Sequence, residues 1–115
     1  MTCIRIGYCD IPIEIKDIDD KDCFGYFEFY PKPLIAISNR LNRFYRAATV
    51  LHEILEAISA IYGLDLSEGQ VRTLETVLVG LAQGYPEESG EFIRSLGGER
   101  PIPHHSEVKR KLSGS

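Results

Sequence analysis

The stretch "AATVLHEILEAISAIYGL", residues 47–64, decides how this chain is read. Ala47, Val50, Leu51, Ile54, Leu55, Ile58, Ile61 and Tyr62 recur at helical spacing. Asn42 is placed to cap the start of such a helix, and Gly63 to stop it. At about 100° per residue the apolar set covers half the helix circumference. His52 and Glu56 then stack one turn apart on the polar side, with Glu53 offset beside them. Two ligands of one ion need that geometry. The ordinary polar face of an amphipathic helix has it too, since glutamate is a good helix former.

Upstream of this helix the pattern changes to period two. "CIRIGYCDIPIEI", residues 3–15, alternates through Ile4, Ile6 and Tyr8, then Ile11, Ile13 and Ile15, with a phase change near Cys9 and Asp10 that marks a bulge or a hairpin bend. "CFGYFEFY", residues 23–30, is rich in the aromatic residues that strands favour. "PLIAIS", residues 33–38, is a third short strand, and Pro31 and Pro33 before it suit the edge of a sheet. The run Asp17–Asp22 reads as a solvated acidic turn. A calcium loop there would carry Asp22 where its sharp turn needs glycine.

Downstream, Ser67 and Gln70 form a capping box that opens a second helix, with Val71, Leu74, Val77, Leu78 and Leu81 on one side. Pro86 opens a third helix with Phe92, Ile93 and Leu96 as its contacts. Strands followed by helices predict an α+β fold: a small three-stranded sheet, then two or three helices. Residues 1–96 form the expected single domain. Residues 97–115, rich in Gly, Pro, His and Lys, form an expected extended or disordered tail.

The composition excludes several classes. With 115 residues, 43% hydrophobic and 26% charged, one folded domain is expected and global disorder is not. The net charge of −4 argues against a dedicated nucleic-acid binder. The local basic clusters, Arg40–Arg43–Arg46 and Lys109–Arg110–Lys111, read as solvated surface. Cys3, Cys9 and Cys23 make an odd number without a C-x-x-C pair, which fits buried free thiols in a reducing cytoplasm. No apolar run approaches the ~20 residues of a membrane helix, and no secretion signal is visible.

One residue breaks the pattern of the second helix. Glu75 sits among Val71, Leu78 and Val79 at the border of the apolar stripe. A carboxylate there must snorkel, pair with a cation such as Arg72 or Arg46, or bind a metal.

A helix carrying "LHE", a short loop, and a glutamate about twenty residues on resembles the gluzincin arrangement of zinc metallopeptidases. The likeness is to the short zincin-like proteins of phages and mobile elements, similar in look to the ImmA/IrrE and SprT-like groups. It spans about Leu34 to Leu81, with H-E-x-x-E where that family has H-E-x-x-H. The resemblance implies His52, Glu56 and Glu75 as metal ligands. It implies Glu53 as the general base toward a metal-activated water, and a hydrolase acting on peptides. The strand at residues 34–38 would then run beside the cleft and pair with an extended peptide.

Glutamate at position 56 has physical consequences. Two histidines and one glutamate leave a divalent site with net positive charge, whereas one histidine and two glutamates neutralise it. The neutral site polarises water less, and its oxygen donors widen the metal choice from Zn²⁺ toward Mn²⁺, Fe²⁺ or Mg²⁺. The exchange therefore opens an alternative, a non-catalytic zincin-shaped protein that binds another protein, such as a phage-encoded factor acting on a host protein. Tyr45, Tyr62 and Tyr85 are oxyanion candidates by type only. His104 and His105 are further potential ligands from the tail.

Overall fold

The computed structural model describes residues 2–98. The fold is α+β, as expected, but the sheet has four strands. In chain order these are β1 (Thr2–Ile6), β2 (Cys9–Lys16), β3 (Gly25–Glu28) and β4 (Leu34–Ser38), followed by α1 (Arg43–Tyr62), α2 (Glu68–Gly84) and α3 (Pro86–Gly98). The segment read as one strand with a phase change is a hairpin. Its ladder closes at Ile6↔Cys9, and Gly7, with φ of 59°, is the first residue of a two-residue turn.

The strands lie in the order β1-β2-β4-β3. β4 is parallel to β2 and antiparallel to β3, so it is an interior strand and not the edge expected from its prolines. Pro31 and Pro33 precede the first ladder residue, Leu34, so no ladder hydrogen bond is lost to them. Ile35, Ala36, Ile37 and Ser38 are all fully buried. The free edge at this end of the sheet belongs to β3.

The core joins Cys9, Ile11 and Ile13 of β2, Ile35 and Ile37 of β4, and Ala57 and Ile61 of α1. Of the cysteines only Cys9 is fully buried; Cys3 is exposed and Cys23 half-buried. Helix α1 crosses the sheet closely at one point. A Cβ on Gly25 would lie 2.8 Å from Thr49 Cγ2 and 2.9 Å from the Ala36 carbonyl oxygen, so only glycine lets β3 and α1 approach there. That approach brings the polar side of α1 alongside the start of β3.

The helix ends follow the sequence signals. The Asn42 side chain accepts from Tyr45 N at 2.9 Å. Gly63 is left-handed, and Leu64 N donates to Ser59 O at 2.9 Å, which together form a Schellman stop. Both capping-box bonds form: Ser67 N to Gln70 Oε1 at 2.8 Å and Gln70 N to Ser67 Oγ at 3.1 Å. The apolar stripe of α2 is less covered than its periodicity implies. Val71 is buried, but Leu74 and Leu78 stay 41% and 42% exposed.

The chain divides into two compact units, Met1–Val79 and one beginning at Gly80. Helix α3 extends through Gly98, two residues into the expected tail. The remainder of that tail, with His104, His105 and the second basic cluster, lies outside the described residues.

Candidate metal centre

His52 is the hub of a cluster contained within the first unit. Its ring nitrogens face different partners. Nδ1 lies 2.7 Å from Glu75 Oε1, a hydrogen bond between α1 and α2. Nε2 lies 3.7 Å from Glu56 Oε1 and 3.4 Å from Glu68 Oε1. His52, Glu56 and Glu68 can each offer one ligand atom, a ring nitrogen and two carboxylate oxygens, that fall within 4.8 Å of one another.

These distances separate two kinds of contact. Ligands held ~2.1 Å from a tetrahedral ion stand about 3.4 Å apart. The Nε2 distances of 3.4 and 3.7 Å match that spacing and exceed a good hydrogen bond. Glu75 at 2.7 Å has hydrogen-bond spacing and is too close to share an ion with Nδ1 comfortably. The structure thus places Glu75 differently from the sequence expectation. It meets the back of the imidazole, and Glu68 stands where a third ligand would.

The apolar stripe that makes a carboxylate at position 75 costly is not buried at Leu74 and Leu78, which stay half-exposed. Position 75 matters because of where α2 lies against His52. Glu68 carried a signal that could have found it. It is the first residue of α2, immediately after the capping serine, seven positions before Glu75 and so on the same helix face.

The electrostatics fit a cation. Burial, more than its neighbours, raises the Glu56 carboxyl above its usual value; Glu68 raises it further by its charge and by a side-chain hydrogen bond, and His52 opposes. Carboxylates gathered at one point repel each other, and a divalent ion between them would offset that repulsion. Glu53 is the most enclosed acid here, 7% exposed. Burial pushes it from an ordinary 4.5 to about 7, with the charge of His52 opposing and those of Glu56, Glu68 and Glu75 adding.

Glu53 opens, with His52, Glu68, Arg72 and Glu75, onto a cleft of about 440 Å³. Its opposite wall is the start of β3 and the turn before it: Asp22, Cys23, Phe24 and Gly25. The acidic turn is ordered by Asp22 N donating to Asp20 Oδ1 at 2.9 Å and by Arg40 Nη2 donating to Asp20 O at 3.2 Å. Neither Tyr45, Tyr62 nor Tyr85 lines the cleft; Arg72 does.

No protein family, curated protein or solved structure matches this chain.

Proposed function

We propose that the chain is a zincin-like metal-binding protein with His52, Glu56 and Glu68 as its metal ligands and hydrolysis as its chemistry. One observation supports this above the rest: His52 Nε2 faces two carboxylates at 3.4 and 3.7 Å, the spacing of co-ligands. Of the set expected from sequence, His52 and Glu56 keep their roles in this reading and Glu68 replaces Glu75.

A bound divalent ion supplies Lewis acidity and makes water more acidic. The remaining roles fall to the chain. Glu53, enclosed and raised to about 7, is suited to accept and return a proton at neutral pH. Arg72 is the cation in the cleft lining that can face negative charge developing on a substrate. An extended peptide would pair with the outer edge of β3, because both edges of β4 are occupied. One histidine and two glutamates suit Zn²⁺ less exclusively than two histidines would, so Mn²⁺ and Fe²⁺ belong in the test.

The test is metal analysis of protein purified without a histidine tag. About one equivalent of divalent metal is expected, lost in His52→Ala and Glu68→Ala. Absence of bound metal, together with no thermal shift on adding Zn²⁺, Mn²⁺ or Fe²⁺, would sink the reading. The neutral ligand set keeps the binding-only alternative in view. Glu53→Gln separates the two: if metal content persists and biological activity survives, the protein works by binding and not by hydrolysis.

A further inference from the structure

We propose that Glu75 is a positioning residue that sets the tautomer and direction of His52, and is not itself a metal ligand. The proposal rests on the metal-centre reading for its consequence, but its structural basis is independent of any ion.

Helix α2 brackets the imidazole. Glu68 and Glu75 are seven residues apart, two turns of one helix face, or about 10.5 Å along the axis. The ring lies between them, with Nδ1 at 2.7 Å from Glu75 and Nε2 at 3.4 Å from Glu68. A neutral imidazole carries one proton on its two nitrogens. A carboxylate at Nδ1 holds the proton there and leaves the Nε2 lone pair free. That lone pair then points toward Glu56 and Glu68. Without Glu75, the neutral side chain would favour the proton on Nε2, where it would block a ligand bond.

Glu75 as a co-ligand conflicts with the same geometry. Glu56 and Glu68 both gather at Nε2, and Glu75 meets the other nitrogen. One ion cannot be shared by donors on opposite ends of the ring.

The experiment uses the full chain with ¹⁵N-labelled histidine. The His52 ring nitrogens, assigned with a His52→Gln variant, are read by ¹⁵N–¹H correlation in metal-free protein, on the alkaline plateau where the ring ¹⁵N signals no longer change with pH. The wild type is expected to carry its proton on Nδ1. Glu75→Leu should shift the population toward Nε2–H, and Glu75→Gln, which keeps an acceptor oxygen, should largely restore Nδ1–H. Circular dichroism checks that each variant folds.

In parallel, Zn²⁺ and Co²⁺ affinities are measured by competition with a chromophoric chelator. Glu75→Leu should weaken binding about 10–100-fold, the usual consequence of losing a ligand's supporting hydrogen bond, with Glu75→Gln recovering most of it. Glu68→Ala should weaken it more while leaving the metal-free tautomer unchanged. Two results overturn the proposal: a tautomer that does not respond to Glu75→Leu, or a Glu75→Leu loss as complete as that of Glu68→Ala with the ring unaltered. If the wild type binds neither metal, the proposed function fails, and the metal-free tautomer still decides the role of Glu75.

Discussion

Glu53 is buried on α1, lines the cleft opposite the start of β3, and feels the charges of Glu56, Glu68 and Glu75. Its carboxyl is raised by burial from 4.5 to about 7, so the folded protein keeps a proton that the unfolded chain has released between those values. Stability of the metal-free protein therefore falls as pH rises through that window, because the native state binds the extra proton. For this group alone the loss is about 3 kcal/mol between pH 4.5 and pH 8. Glu56, also raised, adds loss of the same sign. Glu53→Gln removes the largest contributor. In the presence of chelator its melting temperature at pH 8 should exceed that of the wild type by on the order of 10 °C, with little difference at pH 4.5. Equal pH profiles for the two proteins would show that Glu53 is not held proton-rich by the fold.

At the scale of elements, the first turn of α2 determines whether Glu68 reaches His52. Ser67 caps that turn reciprocally with Gln70, and Leu66 N is fixed by Ser59 Oγ at 2.9 Å, which ties the connection back to the end of α1. Ser67→Ala removes an acceptor for Gln70 N and should cost about 1 kcal/mol in chemical denaturation. Because Glu68 is the next residue, the same change should also weaken metal affinity, whereas Ser67→Thr should preserve both. A stability loss with unchanged affinity would show that Glu68 is placed by something other than the cap. These caps were legible in the sequence because they are local: Asn42, Gly63 and the Ser67–Gln70 box each act within a few residues. Strand order was not legible. Nothing local in "PLIAIS" distinguishes an edge from an interior strand, and the prolines that pointed to an edge lie just outside the ladder.

Within the first unit, α1 is anchored by the core, whereas beyond Val71 the apolar side of α2 is largely open to solvent. Polar contacts at His52 therefore carry much of the connection between the two helices. The helix-borne half of the site, His52, Glu53 and Glu56, was readable from one period of one helix. Glu68 was reachable only through its seven-residue spacing from Glu75, and the Asp22–Gly25 wall not at all, because both depend on where α2 and the turn before β3 settle against α1. An ion held by Glu56 of α1 and Glu68 of α2 would tie the helices together, and binding to the native state alone stabilises it by about 2.7 kcal/mol at a hundredfold excess over Kd. A metal ligand must be deprotonated, and the Glu56 carboxyl is raised by burial and by the charge of Glu68, so the stabilising increment of metal binding grows with pH. This is opposite in sign to the metal-free trend. Melting temperatures with Zn²⁺ or Mn²⁺, relative to chelator, should thus rise more at pH 8 than at pH 5.5, and not at all in His52→Ala. An increment independent of pH, or one retained by that variant, would place the ion elsewhere on the protein.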